Sequence, residues 1–310
     1  MSTFDLEYRS YADLSGLIHS ADISKFKNYD LVVGIPRSGM IPAYMLGLRL
    51  NIPVIDLEGF LNGNTPVTGS RMVKQITDGS GKFGRILVVD DSIRSGKQLD
   101  LVKKKLSGMQ DCEFGFCTPF AASNKTGEVD YYFELIDRPR VFQWNIMHSW
   151  IYGYSCVDID GVLCDDPKEE ENDDGENYIR FLLNAPLKYK PNVSVQTLVT
   201  NRLEKYRPQT EQWLSEQGIQ YKELLMLDLP DRATRVRMGN YGAFKADVYQ
   251  SRKDTLLFIE SDLNQASRIN LLSGRAVFCV DEMRFFPPMA PKTPVHQSIA
   301  RKVKKYLRSI

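Results

Sequence analysis

Histidine is nearly absent from this chain, with three residues, at positions 19, 148 and 296, among 310. Placed so far apart, they offer no zinc site of the usual histidine type. The five cysteines, Cys112, Cys117, Cys156, Cys164 and Cys279, are odd in number and contain no Cys-x-x-Cys pair. They argue against a disulfide framework and read as packed thiols of a cytoplasmic protein. No uninterrupted apolar run reaches membrane-spanning length, and residues 1–9 hold no apolar signal region. Charge of one sign is missing too. Forty Lys and Arg stand against 39 Asp and Glu, for a net +1, so no global field recruits nucleic acid and any charged ligand must be met by local clusters. Internal repeats and low-complexity tracts are absent apart from the acidic run 165–176.

What is present is apolar material for two cores: 43% of the residues are hydrophobic. Strand-like and helix-like patterns alternate throughout, which predicts α/β architecture in both halves, each a mainly parallel sheet flanked by helices. Strands are expected at 31–34, 53–56, 86–90, 113–118 and 131–135, then at 155–158, 195–199, 222–227, 256–260 and 276–280. The gap near 148–153 divides the chain into domains 1–150 and 151–310.

Residues 86–97 carry the most chemistry. Ile86 to Val89 are a short apolar run suited to a central parallel strand, and Asp90 and Asp91 follow at its carboxyl end, where open α/β sheets bind ligands. Ser92, Arg94, Ser95, Gly96, Lys97 and Gln98 then open a helix whose apolar positions are Leu99, Val102 and Leu106. Its unpaired N–H groups and positive end suit a phosphate. A Walker-type loop is excluded, because Asp91 stands where its first Gly would be and Gln98 where Ser or Thr would follow the Lys. The segment resembles the phosphoribosyl diphosphate (PRPP) motif of type I phosphoribosyltransferases, departing from it at Gln98, where that family commonly has Thr or Ser. The resemblance implies that Asp90 and Asp91 hold ribose hydroxyls and that residues 94–98 anchor the 5-phosphate.

A second strand and tight loop lie upstream, Leu31 to Gly39. Gly34 and Gly39 permit close backbone approach, and Arg37 supplies a fixed cation beside Ser38. This stretch looks like the loop that holds the diphosphate leaving group in the same family. Between the two motifs, residues 58–83 have no clear periodicity, and a loop this long is usually functional or disordered. By resemblance it is the flap that closes over PRPP, with Arg71 or Lys74 meeting the diphosphate.

The second half opens on Tyr154 to Cys164, a strand leading into Asp158-Ile159-Asp160-Gly161-Val162. Carboxylates two apart at a strand end project to one side, where one can attack phosphorus and the other protonate the leaving oxygen. A calcium loop would need later ligands that are missing. The segment resembles the first motif of haloacid dehalogenase (HAD) superfamily phosphatases. In that family's order follow Leu198-Val199-Thr200-Asn201-Arg202, Phe244-Lys245, and Leu256 to Asp262. The resemblance implies Asp158 as nucleophile, Asp160 as general acid and base, Thr200 and Lys245 orienting the phosphoryl group, and magnesium held by Asp158, the Asp160 carbonyl and either Glu260 or Asp262. Arg232, Arg235 and Arg237 compete with Lys245 as the basic residue. Only about forty residues separate Asp160 from Thr200, so 165–192 is at most a small lid.

Joined, the halves resemble fused phosphoribosyltransferase-phosphatase proteins that place β-ribofuranose in bacterial polysaccharides. That implies PRPP as donor, magnesium in both domains, and a glycan hydroxyl, often lipid-linked, as acceptor. The competing reading is a nucleobase phosphoribosyltransferase joined to a nucleotidase, with Phe120, Tyr131, Tyr132, Phe142 and Trp144 as base-stacking candidates. A PRPP-binding regulator is a third. Glu134 and Asp137 are candidate bases for the acceptor. In residues 296–310, Ile299, Val303, Leu307 and Ile310 recur at helical spacing among Lys and Arg. Such a helix packs on its own protein or lies on the inner face of a membrane.

Overall fold

The computed structural model describes residues 6–66, 83–239 and 241–289. The chain divides into two compact units, Met1–Ile146 and Met147–Ile310. Arg71, Lys74 and the segment 296–310 lie outside the described residues. Among the described residues no helix is long and apolar enough to cross a membrane.

The first unit runs β1 (Glu7–Arg9), α1 (Tyr11–Ser20), β2 (Leu31–Gly34), α2 (Met40–Leu50), β3 (Val54–Asp56), α3 (Leu57–Leu61), β4 (Arg85–Val89), β5 (Ser92–Ile93), α4 (Lys97–Leu106), β6 (Glu113–Ala121), β7 (Tyr131–Leu135) and β8 (Arg140–Phe142). Its main sheet has the order β3-β2-β4-β6-β5, with β7 also on β6. Every pairing is parallel. Both faces of β2 and β4 are covered, which is why their sequences are continuous apolar runs and not alternating ones. Leu31, Val33, Ile86 and Val88 meet Val102 and Leu106 of α4 on one face. Val32, Leu87 and Val89 meet Leu14 and Ile18 of α1 and Ala43 and Leu46 of α2 on the other.

The second unit runs β9 (Ser155–Val157), α5 (Glu176–Asn184), β10 (Val195–Leu203), α6 (Arg207–Glu216), β11 (Tyr221–Leu227), α7 (Arg232–Met238), α8 (Tyr241–Ser251), β12 (Leu257–Glu260), α9 (Leu263–Ser273), β13 (Val277–Cys279) and β14 (Arg284–Phe286). The sheet order is β11-β10-β9-β12-β13-β14. Only the β13–β14 pair is antiparallel. Cys156, Val199, Phe258 and Val277 share a core with Ala246 and Tyr249 of α8 and Ala266 and Ile269 of α9.

Both sheets reverse their winding once. In the first, β3 lies on one side of β2 and the later strand β4 on the other. In the second, β10 and β11 extend to one side of β9 before β12 returns to its other edge. A crevice opens at the carboxyl ends of the strands flanking each switch point. Acid-bearing motifs stand at the ends of β4, β9 and β12, and the Arg37 loop follows β2.

Candidate functional sites

In the first unit the loops after β2 and β4 are locked together by backbone. Ile35 N–H donates to the Val89 carbonyl at 2.8 Å. A Cβ on Gly39 would stand 2.5 Å from the Ile35 oxygen, 2.8 Å from the Val89 oxygen and 3.0 Å from Asp90 Cα, so only glycine allows this approach. Arg37 is exposed in this loop, after a cis Pro36–Arg37 peptide. Ser38 hydrogen-bonds Asp91. The structure therefore brings together Arg37, Ser38, Gly39, Asp90 and Asp91.

Asp91 is 5% exposed and accepts the Trp144 indole N–H at 2.7 Å. Its own N–H donates to Asp90 Oδ1 at 2.9 Å. Burial, then the charge of Asp91, pushes the Asp90 carboxyl up to about 7. Burial also raises Asp91, against the donors Trp144 and Ser38. Among the described residues neither acid has an ion-pair partner within 4 Å. A crowded acid pair of this kind fits hydroxyl donors or a hard cation.

Beside it, a cavity of about 190 Å³ is lined by Asp90, Arg94, Ser95, Gly96, Gln98 and Thr118. Gly96, at φ 81°, caps α4 without a side-chain hydrogen bond, which leaves the first N–H groups of the helix to a ligand. Lys97 begins the helix and is exposed. Arg140, a residue the sequence reading passed over, is buried beneath this loop. Its guanidinium donates to the Ile93 carbonyl at 2.6 Å and to that of Ile136. Its charge bears on Asp91.

Other candidates are spoken for locally. Glu134 pairs with Arg9 at 2.5 Å. Asp137 accepts the Ser123 N–H at 2.9 Å and hydroxyl at 2.7 Å, and these bonds hold its carboxyl below the ordinary range. A carboxylate stabilised in that way is a weak base. Phe120 and Phe142 are buried, so they serve the core and not an open stacking surface.

In the second unit Asp158 follows β9 and Glu260 ends β12, and Lys245 of α8 joins them. Its ammonium lies 2.5 Å from Asp158 Oδ2 and 2.6 Å from Glu260 Oε2, with Gln265 Oε1 at 3.0 Å. All three are buried. Burial and the charges of Glu260 and Asp160 hold Asp158 well above the usual carboxylate range, against the pull of Lys245. Burial acts to lower Lys245, but Asp158 and Glu260 outweigh it and keep the ammonium protonated. Lys245, and not Arg232, Arg235 or Arg237, is the base that reaches Asp158. Thr200 is fully buried on β10, and its hydroxyl accepts the Arg202 N–H at 3.2 Å.

Glu260 and Asp262 separate cleanly. Glu260 accepts the N–H groups of Ser261 and Asp262 while facing Lys245. Asp262 is the N-cap of α9, its Oδ1 accepting the Gln265 N–H at 2.7 Å. That cap takes Asp262 away from the cluster.

Two residues of this site escaped the sequence reading. Arg202, fully buried over Trp213, forks onto Asp160, with Nη2 to Oδ1 at 2.6 Å and Nε to the two oxygens at 3.1 and 3.2 Å. Asp166, inside the acidic run, is pushed up to about 6 by burial, then by Asp160 and Asp281. The five interacting carboxylates, Asp158, Asp160, Asp166, Glu260 and Asp281, outnumber Lys245, Arg202 and Lys188. Surplus negative charge among hard oxygen donors fits a divalent cation such as magnesium. Among the described residues no three His, Cys, Asp or Glu side chains form a ready metal cage, so the fit is one of charge.

Residues 8–150 match the family model of the phosphoribosyl transferase domain. The chain carries a phosphoribosyl transferase domain. Among solved structures it is similar to a purine phosphoribosyltransferase from Pyrococcus horikoshii, at 23% identity over 45% of this chain and 94% of that one, with a TM-score of 0.34. A xanthine-guanine-hypoxanthine phosphoribosyltransferase from Helicobacter pylori matches at 20% identity over 46% of this chain and 92% of that one, again with a TM-score of 0.34. The matched domain contains the acid pair of β4, the loop after β2 and the open start of α4.

Proposed function

We propose that the chain is a bifunctional enzyme that transfers 5-phosphoribose from PRPP to a glycan hydroxyl and then removes the 5-phosphate, leaving a β-ribofuranoside. The observation that carries this reading is the buried Asp158–Lys245–Glu260 cluster at a sheet switch point, in the same chain as a transferase domain. A phosphate-handling site next in sequence to a phosphoribose-handling one suits consecutive steps on one phosphorylated sugar.

In the transferase domain, Asp90 and Asp91 would hold the ribose hydroxyls while the open start of α4 grips the 5-phosphate. As the C1–O bond to diphosphate lengthens, negative charge builds on the leaving oxygens, and Arg37 lies in the loop that would meet it. Attack by the acceptor oxygen from the opposite face inverts the α-anomer as diphosphate departs, and the hydroxyl proton passes to the leaving diphosphate. In the second unit, Asp158 would attack the 5-phosphate and form a phosphoaspartate. Lys245 and Thr200 orient the transferred group, and Asp160, held by Arg202, protonates the departing sugar oxygen and then activates water. Asp158, Glu260 and the Asp160 carbonyl, and in the first unit the Asp90–Asp91 pair, would hold magnesium, which would supply positive charge against the phosphate oxygens.

Of the stacking aromatics the nucleobase alternative would use, Phe120 and Phe142 are buried and the Trp144 indole N–H is taken by Asp91, while Tyr132 is exposed. Supplying PRPP and magnesium with panels of glycosides, including lipid-linked ones, and of nucleobases tests the choice by mass detection. Turnover with a glycoside and not with bases is expected. Turnover with bases alone overturns the glycan acceptor.

A further inference from the structure

We propose that Trp144 is a positioning residue of the donor site, acting through Asp91. Fifty-three residues separate the two in sequence, yet the indole N–H donates to Asp91 Oδ2 at 2.7 Å. The inference rests on reading Asp91 as a holder of ribose hydroxyls.

The indole is fixed before it meets the acid. It stacks on Phe142 at 4.8 Å and 9° and on Phe120 at 6.0 Å and 28°, and both rings are buried. The backbone around it is pinned as well. Gln143 N–H donates to the Arg9 carbonyl at 2.9 Å, continuing the parallel β1–β8 pair, and the Gln143 side chain accepts the Tyr11 N–H at 2.9 Å. The indole therefore cannot follow Asp91 if the carboxylate turns; the carboxylate must come to the indole.

Asp91 needs such a fixture. It is buried beside a second carboxylate, and its hydrogen-bond partners are the Trp144 indole, the Ser38 side chain, the Ser92 N–H and the Asp90 side chain. Without the indole bond, the remaining donors and the pull of water would favour another rotamer. With it, Oδ2 is held by the indole and the carboxylate keeps one orientation toward the site. Positioning of this kind acts alike on bound donor and transition state, so its loss raises KM and leaves kcat.

The test is PRPP binding to the full chain by calorimetry in four proteins: parent, Trp144→Phe, Asp91→Ala and the double variant. Phenylalanine keeps the stack and removes only the donor. A hydrogen bond to a charged group has the size that predicts a loss of roughly tenfold or more in affinity for Trp144→Phe. In the Asp91→Ala background the same change should cost less than about twofold, because the partner is already gone. Trp144→His, which keeps a ring N–H, should recover affinity relative to Phe. Equal losses in both backgrounds, or no loss in the parent, would overturn the role of Trp144. A parent that binds no PRPP would overturn the donor reading along with it.

Discussion

Asp90 should be a site where function and stability oppose each other, and replacing it with Asn exposes the conflict. Burial and the adjacent Asp91 charge lift its carboxyl from 3.8 to about 7. At 1.36 kcal/mol per unit, holding the ionised form costs the folded domain about 4 kcal/mol once it is fully ionised. The sign follows from proton counting. The folded value lies above the unfolded one, so the folded state binds the extra proton between pH ~4 and ~7, and stability falls as pH rises through that window. Asn keeps an oxygen to accept the Asp91 N–H but carries no charge. Asp90→Asn should therefore stabilise the ligand-free transferase domain by about 4 kcal/mol at pH 8, about 2 at pH 5 and under ~1 at pH 4. Hydrogen exchange of the β4 amides, Arg85–Val89, in chelator-containing buffer reads this domain separately from the second unit. PRPP binding should weaken in the same variant. A gain that does not change with pH, or a loss at pH 8, would refute the electrostatic account of the acid pair.

Three further outcomes follow from the geometry. Gly39→Ala drives a Cβ into two backbone oxygens, so the loops after β2 and β4 must part; transfer should fall about a hundredfold, while hydrolysis of p-nitrophenyl phosphate by the same protein stays unchanged. Lys245→Met leaves Asp158 and Glu260 buried without their cation, which should destabilise the second unit by about 3–5 kcal/mol and abolish phosphatase activity, read from exchange of the β12 amides and a phosphatase assay. Arg202→Gln frees Asp160 from its fork and should lower phosphatase kcat by about 10²–10⁴-fold while PRPP affinity is kept.

The central strands were legible because burial on both faces writes itself as uninterrupted apolar runs, as at Leu31–Val33 and Ile86–Val89. Strands β1, β5 and β8 are two or three residues long and exist through pairing with distant partners, as when Ser92 and Ile93 meet Phe120 and Ala121. No local pattern announces them. The acid pair and the Asp-x-Asp were visible since their chemistry is local. Arg202, two residues past Thr200, was read only as part of that segment's end, and its fork onto Asp160 bridges 42 positions. Asp166 was hidden in a run of acids, and its interaction with Asp160 and Asp281 is made in space and not in sequence. The split between Glu260 and Asp262 follows from the start of α9, which claims Asp262 as its cap; an Asp three residues before Gln265 was the available signal.

The claim that transfer and dephosphorylation are consecutive steps on one product is tested most directly with Asp158→Asn. Incubated with PRPP, magnesium and the glycan acceptor, the parent should yield acceptor plus pentose by mass spectrometry, and the variant should accumulate acceptor plus phosphopentose. Pentose without phosphate appearing on the acceptor in the variant would contradict the two-step account.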